Sequence, residues 1–287
     1  MNQTATTWRF GLVVIATSIA AIAVACGSNT NSRTTPVPAT AATPMSASLA
    51  GKITVFAAAS LTDAFKQIAV DFEAANPATS VEFNFGGSPA LVAQLDQGAT
   101  ADVLATADQK NMRAALDKGL VRDAGVPFAK NRLVIIVPKS NPAAIASAMD
   151  LVKTGVKLVL AQQGVPVGDY ARQSIAKLGA DAGYGAAFSR KVLANVVSEE
   201  PNVKAVVTKV QLGEADAGIA YVTDVTAGVA GDVTMLPIDD QFNVIATYPI
   251  AITRHAGKRD VAQAFIDFVL SDTGQGVLKR YGFISVN

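Results

Sequence analysis

The most informative segment for the fold is Gly51-Lys52-Ile53-Thr54-Val55-Phe56-Ala57-Ala58-Ala59-Ser60-Leu61-Thr62. Its apolar part, Ile53–Phe56, predicts a buried strand. From Leu61 onward, apolar residues recur at helical spacing as far as Phe72, which predicts a helix. The short turn around Ser60 therefore joins the end of a strand to the start of a helix.

The same alternation of strand and helix continues along the chain. Further apolar runs of strand length are Val81–Phe85, Val103–Leu104, Leu133–Val137, Leu158–Leu160, Gly218–Tyr221 and Thr234–Leu236. The run Leu133–Val137 is uninterrupted and closed by Pro138, a pattern typical of a buried parallel strand. Segments with helical spacing lie between the runs, and the last of them, Val261–Leu270, closes the chain. Strands that alternate with helices predict an α/β fold with parallel sheets.

Composition narrows the classes of function. The 287 residues suggest one large or two modest domains, and half of them are hydrophobic. With 24 Lys and Arg against 23 Asp and Glu, no basic face for a nucleic-acid partner is indicated. A single Cys and a single His exclude a disulfide within the monomer and a Cys/His zinc cluster, which needs about four ligands.

The first 25 residues have the pattern of an export signal. Arg9 is followed by a mainly apolar stretch, Leu12–Ala25, and as a helix its roughly 14 residues would rise only about 21 Å, too short for a bilayer core of about 30 Å. The stretch ends at Ala23-Val24-Ala25-Cys26, which resembles the lipobox of bacterial lipoproteins, although that motif usually has Leu where Ala23 stands. We therefore expect cleavage before Cys26 and a lipid on Cys26 that anchors the protein to the outer side of the cell membrane. The alternative is an ordinary signal peptide with an incidental Cys.

Residues 26–50 form a predicted tether. Beyond Cys26 the segment is made mainly of Gly, Ser, Asn, Thr, Ala and Pro, without an aromatic residue. Such a composition buries too little apolar surface to offset the entropy cost of ordering. We expect a flexible spacer between the membrane and the folded domain.

Small or polar turns precede the predicted helices at four places. They contain Ser60, Ser88 after Gly86-Gly87, Val165-Pro166-Val167-Gly168, and Pro201-Asn202-Val203. Helix N-termini carry unpaired N–H groups and a partial positive charge, so they bind anions readily. The alternative for the two serines is that they only cap their helices.

An ordered set of motifs resembles the molybdate-binding proteins of ABC importers. The opening stretch 51–62 resembles theirs most closely. It is followed by Ser88-x-x-Leu91 with Gln94, Ala101-Asp102-Val103, Ala107-Asp108-Gln109-Lys110, Val165–Ala171, Gly218–Tyr221 and Lys279–Phe283. The resemblance covers about residues 51–285. It implies a two-lobed α/β fold of the type II periplasmic-binding kind with a hinge, in which residues 51–131 and 248–287 form lobe one and residues 132–247 form lobe two. The chain would cross between the lobes near Asn131-Arg132 and Tyr248-Pro249.

The resemblance also implies a set of ligands for molybdate: Ser60, Ser88, Val167, Val203 and Tyr221. The serines and Tyr221 would donate hydroxyl hydrogen bonds, and the two valines would donate backbone N–H groups. Molybdenum would be bound only as the oxyanion, through these residues, and no cofactor is implied. Two residues depart from the family pattern: Pro89 removes a backbone N–H, and Val167 stands where Ala is usual.

The chemistry of these residues agrees with that assignment. Molybdate is a deprotonated dianion that only accepts hydrogen bonds, so its site needs donors, which hydroxyl and N–H groups provide. None of the five residues is acidic or basic, which avoids the cost of burying a full charge. The expected protein is not an enzyme but a monomeric solute-binding lipoprotein that delivers molybdate, and tungstate, to an ABC permease.

Three alternatives stay open. The first is binding of another oxyanion, chiefly sulfate, which has the same charge and shape as molybdate. The second is an oxyanion-sensing module that signals to a membrane receptor and would use the same site. A serine hydrolase that pairs Ser60 or Ser88 with His255 lacks a Gly-x-Ser-x-Gly elbow, and His255 lies in a polar segment typical of the surface. Four tyrosines, Tyr170, Tyr184, Tyr248 and Tyr281, are too scattered to indicate a ferric site and are interpreted as core or rim residues.

Overall fold

A computed structural model describes residues 49–286. The predicted signal peptide, Cys26 and all but the last two residues of the predicted tether lie outside the described residues. Between residues 49 and 286, no helix combines the length and the apolar character needed to cross a membrane.

The described residues contain ten strands and eight α-helices. The strands are β1 (Gly51–Ala58), β2 (Thr79–Gly86), β3 (Val103–Ala105), β4 (Val126–Asn131), β5 (Leu133–Pro138), β6 (Leu158–Ala161), β7 (Val196–Glu200), β8 (Ala217–Tyr221), β9 (Val233–Pro237) and β10 (Ala246–Ile252). The helices are α1 (Thr62–Ala75), α2 (Ser88–Asp96), α3 (Gln109–Asp117), α4 (Pro166–Ala180), α5 (Phe188–Ala194), α6 (Val203–Gln211), α7 (Arg259–Leu270) and α8 (Asp272–Arg280). Short 3₁₀ turns occupy Ala59–Leu61, Ala148–Val152 and Val222–Asp224.

The strands form two five-stranded sheets, each the centre of one lobe. The first lobe has the order β2-β1-β3-β10-β4, and the second has the order β7-β6-β8-β5-β9. The chain passes from the first sheet to the second at Arg132, and it returns between β9 and β10. Tyr248-Pro249, where the second crossing was expected, lies inside β10, whose pairing with β4 begins at Ala246 opposite Asn131. The lobe boundaries themselves stay a prediction.

The sheets are mixed rather than parallel, so the expected direction of Leu133–Val137 is wrong. β5 contains this run and pairs antiparallel with both β8 and β9. In the first sheet, β10 is antiparallel to β3 and β4. An unbroken apolar run indicates that both faces of a strand are buried, and every residue of β5 is buried. It carries no information about the direction of the neighbouring strands.

A second correction concerns the end of the chain. The segment Val261–Leu270 forms most of α7, but α8 follows it directly. Ser271 caps α8, since its side chain accepts a hydrogen bond from the Gly274 N–H at 3.3 Å. Two apolar residues of α8, Val277 and Leu278, are buried in the core. This packing stabilises a helix whose own sequence is mainly polar.

An aromatic cluster fixes α1 against the first sheet. Phe65 is fully buried, and its ring centroid lies 5.6 Å from that of Phe128 in β4 and 6.0 Å from that of Phe265 in α7. Aromatic pairs at such distances are stabilising beyond the area they bury. The position of α1 matters for the site, because the turn that precedes it contains Ser60.

Candidate functional site

All five residues expected to bind the anion line one cavity. Ser60, Ser88, Val167, Val203 and Tyr221 border a small space of about 10 Å³, together with small or apolar residues of the same turns. Ser60 and Ser88 come from the first lobe, whereas the other three come from the second. Their role as ligands stays a prediction, but residues that lie up to 161 positions apart, from Ser60 to Tyr221, meet at one place.

The cavity lies where strands end and helices begin. Ser88, Pro166 and Val203 are the first residues of α2, α4 and α6, and Ser60 lies in the 3₁₀ turn that leads into α1. The first N–H groups of a helix have no partner within the helix. Each helix start also carries a partial charge of roughly +0.5. Several helix starts around one cavity therefore create a site for an anion without a formal positive charge.

Two glycines permit the backbone to approach closely here. A Cβ atom on Gly87 would lie 2.3 Å from the carbonyl oxygen of Pro201, which belongs to the opposite lobe. On Gly168 a Cβ atom would lie 2.4 Å from the carbonyl oxygens of Ala161 and Gln162. A side chain at Gly87 would therefore push the lobes apart, and one at Gly168 would displace the start of α4.

Neither serine caps a helix, so the alternative interpretation of these residues is wrong. The N-cap residues are Ala58 for the 3₁₀ turn and Gly87 for α2, and neither start has a side-chain capping bond. The Ser60 hydroxyl instead lies 3.0 Å from the Tyr248 hydroxyl. The Ser88 oxygen accepts a hydrogen bond from the Ala107 N–H at 3.1 Å. Both serines are buried and face the cavity.

Tyr221 has a buried hydroxyl with no hydrogen-bond partner among the described residues. It ends β8, and only 1% of the residue is exposed. Burial raises the pKa of Tyr221 well above its ordinary value, and the neighbouring Tyr248 raises it further, so the hydroxyl stays protonated. A protonated, unpartnered hydroxyl at a cavity wall is available to donate to an oxyanion.

No Asp, Glu, Lys, Arg or His side chain lines this cavity within residues 49–286. Charged residues lie next to the lining residues Tyr221 and Val203. Asp224 is fully buried and accepts a hydrogen bond from the Tyr221 N–H at 3.2 Å, and burial raises the pKa of Asp224 to about 6. Lys204, next to Val203, lies 3.8 Å from Asp224 and 2.8 Å from Asp63 of the opposite lobe.

A second ion pair also joins the lobes. Lys110 in α3 donates to Asp169 in α4 at 2.8 Å, and nearby the Asn111 side chain donates to the Gly164 carbonyl at 3.3 Å. Lys110 is largely exposed, so its ion pair with Asp169 contributes little to stability. The two lobes are thus in direct contact around the cavity.

Sequence reasoning missed three residues that organise the site. Ala107 supplies the N–H that reaches Ser88, while Tyr248 and Asn131 lie behind Ser60. Tyr248 was interpreted as a core or rim residue, and it is indeed fully buried, but its hydroxyl contacts Ser60. Ser60 and Tyr248 are 188 positions apart, so no local pattern could have linked them.

The serine hydrolase alternative has no geometric support. His255 is exposed and does not line the cavity that contains Ser60 and Ser88. It lies beside a different surface pocket, near Asp102. Across residues 49–286, no three His, Cys, Asp or Glu side chains are grouped so that they could hold a metal ion.

Comparison with known proteins identifies the family. The sequence pattern described as bacterial extracellular solute-binding protein matches residues 53–284. The chain belongs to this family. Among the relatives of this solute-binding protein is the molybdate-binding protein ModA of Mycobacterium tuberculosis. The two sequences are 37% identical over 260 residues, which cover 91% of this chain and 92% of the relative. The resemblance inferred from the motifs is confirmed at this level.

Solved structures confirm the two-lobed fold of this solute-binding protein. The periplasmic molybdate-binding protein of Azotobacter vinelandii aligns with a TM-score of 0.69 at 16% identity, covering 82% of this chain and 100% of that one. The sulfate-binding protein SubI of Mycobacterium tuberculosis aligns with a TM-score of 0.71 at 19% identity, covering 82% and 87%. At such low identities the alignments establish the fold, and they do not distinguish one oxyanion from another.

Proposed function

We propose that the protein captures molybdate, and tungstate, outside the cytoplasm and delivers it to the permease of an ABC importer. One observation carries the proposal: donors from both lobes surround one cavity that lacks a charged side chain, and the Tyr221 hydroxyl there has no partner within residues 49–286. The names of relatives at 37% identity support molybdate as the ligand. The protein binds and releases the anion without covalent chemistry, without a cofactor and as a monomer.

The geometry of the cavity and the resemblance both support the proposed ligand set. Ser60, Ser88 and Tyr221 donate hydroxyl groups, and Val167 and Val203 donate backbone N–H groups at the starts of α4 and α6. The space between the five residues is small, about 10 Å³, and we expect the lobes to separate as the anion enters. Because the anion reaches the full donor set only when both lobes contact it, binding favours the closed form. The closed form then docks on the permease.

A lipid on Cys26 would keep the protein at the membrane, with residues 26–50 as the spacer. The support is the lipobox-like sequence that ends at Cys26. Delivery to a permease, rather than signalling to a receptor, is supported by the relatives, and a permease or ATPase reading frame beside the gene would distinguish the two roles.

Sulfate is the alternative ligand, and size separates it from molybdate. The Mo–O and W–O bonds are longer than the S–O bond, so donors spaced for molybdate would make longer hydrogen bonds to sulfate, and these weaken beyond about 3.2 Å. We expect molybdate and tungstate to bind within about tenfold of each other and sulfate at least about a thousandfold more weakly, since each 1.4 kcal/mol is tenfold in affinity.

Calorimetry of the purified protein against molybdate, tungstate, sulfate and phosphate tests the proposal. Tight binding of molybdate with weak binding of sulfate supports it. If sulfate binds as tightly as molybdate, the molybdate assignment is wrong and the sulfate alternative replaces it.

A further inference from the structure

Tyr248 lies behind the site and belongs to no ligand set described above. It is fully buried in β10, and its ring packs edge-on against Phe128 and Phe283. Its hydroxyl lies 3.0 Å from the Ser60 hydroxyl and 3.3 Å from the Asn131 side-chain nitrogen. The Tyr248 hydroxyl is therefore shared between a predicted ligand and a residue at the crossing between the lobes.

The orientation of the Asn131 side-chain amide determines the direction of its hydrogen bond to Tyr248. Its side-chain oxygen accepts from the Arg132 N–H at 3.0 Å, and a backbone N–H can only donate. The side-chain nitrogen of Asn131 therefore faces the other way, where it donates to the Thr223 hydroxyl at 2.7 Å and to the Tyr248 oxygen. An amide nitrogen does not accept, so the orientation of this group is determined.

The Tyr248 hydroxyl in turn orients the Ser60 hydroxyl. The Tyr248 O–H is buried and needs an acceptor, and the Ser60 oxygen at 3.0 Å is the acceptor within hydrogen-bond distance of it among the described residues. Either hydroxyl of this pair can donate, and the direction in which Tyr248 donates to Ser60 gives both the Tyr248 O–H and the Tyr248 oxygen a partner. Ser60 then accepts from the protein, and its own hydrogen is left for the cavity. Ser88 is held in the same way, because its oxygen accepts from the Ala107 N–H. Both serines are thereby oriented as donors before an anion arrives.

We propose that Tyr248, held by Asn131, is a positioning residue that orients the Ser60 hydroxyl as a hydrogen-bond donor to the bound oxyanion and thereby favours fully deprotonated anions over those that carry a proton. This inference rests on the proposed function, since it assigns a role at the same site. Preorganised donors bind more tightly because no reorientation accompanies binding. A phosphate O–H that meets Ser60 finds a second donor rather than an acceptor, which costs affinity.

Asn131 also links this arrangement to the closed form. It ends β4 in the first lobe, and its partner Thr223 follows β8 in the second lobe. The Asn131 side chain, which donates to the Tyr248 oxygen, is therefore fixed by residues of both lobes.

A double-mutant cycle measured by calorimetry with molybdate tests the role of Tyr248. The proteins are the wild type, Tyr248→Phe, Ser60→Ala and the double variant, and Tyr184→Phe is the matched control because Tyr184 packs among Phe188 and Phe242 away from the cavity. We expect Tyr248→Phe to weaken binding about tenfold in the wild type and less than about twofold when Ser60 is Ala, because residues that act through each other are not additive.

Equal losses in both backgrounds, or no loss in the wild type, would overturn the inference. Thermal unfolding of each variant checks that it folds, and if Tyr248→Phe does not fold, Asn131→Ala replaces it in the same cycle with the same expectation. A second readout is the ratio of sulfate affinity to phosphate affinity. The two anions have similar size, but phosphate carries a proton and sulfate does not. Tyr248→Phe should lower this ratio, whereas a purely structural role would weaken both anions equally and leave it unchanged.

Failure of the proposed function gives a different result. If the wild type binds sulfate but not molybdate, the molybdate assignment fails, and the cycle with sulfate still decides the role of Tyr248. A wild type that binds none of the four oxyanions overturns both.

Discussion

The unpartnered hydroxyl of Tyr221 leads to a prediction with opposite effects on binding and stability. In Tyr221→Phe the ring is kept and only the hydroxyl is lost. If Tyr221 donates to the anion, the variant loses a hydrogen bond to a charged group, worth about 1.5–3 kcal/mol, so binding should weaken roughly ten- to hundredfold. The ligand-free protein loses no hydrogen bond within residues 49–286, because this hydroxyl has no partner there.

The stability of the ligand-free variant should therefore not fall. A buried polar group without a partner costs about 1–3 kcal/mol. Its removal should leave the melting temperature unchanged or raise it, by roughly 2–4 °C for each kcal/mol gained in a domain of about this size. Where the lobes open in solution and water reaches the hydroxyl, the gain approaches zero, but it does not become a loss.

Two measurements on the same preparations decide the matter: calorimetry with molybdate and thermal unfolding without ligand. Tyr184→Phe serves as the control, since it removes a tyrosine hydroxyl far from the cavity. Weaker binding combined with unchanged or higher stability is the expected result. A destabilised variant with normal affinity would show that the Tyr221 hydroxyl stabilises the fold and does not bind the ligand.

Three further predictions concern the rest of the chain. Ser60→Ala and Ser88→Ala should each weaken molybdate binding roughly ten- to hundredfold by calorimetry, whereas His255→Ala should have no measurable effect; a large loss in His255→Ala would contradict the site. Burial raises the pKa of Asp224 to about 6, so the folded state binds the proton of this carboxyl group more tightly than the unfolded state does. The contribution of Asp224 to the free energy of unfolding therefore falls as the pH rises through about 4 to 6. Asp224→Asn should consequently be more favourable relative to the wild type at pH 7 than at pH 4 in urea unfolding, and a pH-independent difference would count against the buried charge. Cys26→Ser should move the protein from the membrane fraction to the soluble fraction with oxyanion binding intact; a variant that is cleaved at the same place and stays with the membrane would show that the lipid anchor is wrong.

The individual strands and helices were mostly accessible from sequence because their signals are local. The run Ile53–Phe56 lies within β1, and the helical spacing that begins at Leu61 lies on α1. Helix α8 was missed because its signal is weak: it contains Gly274 and Gly276, and its buried apolar residues are few. It is stabilised by the Ser271 cap and by tertiary packing, which outweigh a poor local propensity.

The direction of the strands that flank β5 could not be predicted from the local sequence. The apolar run of β5 predicted a buried strand, and the strand is buried, but its neighbours β8 and β9 are both antiparallel. Burial depends on the side chains of one segment, and direction depends on how the chain returns to the sheet. Five or six residues are enough to indicate that a strand is buried, whereas the direction of its neighbours depends on the topology of the whole sheet.

The candidates for the site could be named from the sequence through its resemblance to a known family, because the motifs around Ser60, Ser88, Val167, Val203 and Tyr221 are short and ordered along the chain. Three features became visible only in the folded protein: these turns meet at one cavity, neither serine caps a helix, and the Tyr248 hydroxyl and the Asn131 side chain lie next to Ser60 and Tyr248 respectively. The physical reason is that a hydrogen bond depends on the distance and direction between two particular atoms. Tyr248 lies 188 positions from Ser60 and 117 from Asn131, so whether a hydroxyl donates or accepts here is determined by contacts that exist only after folding.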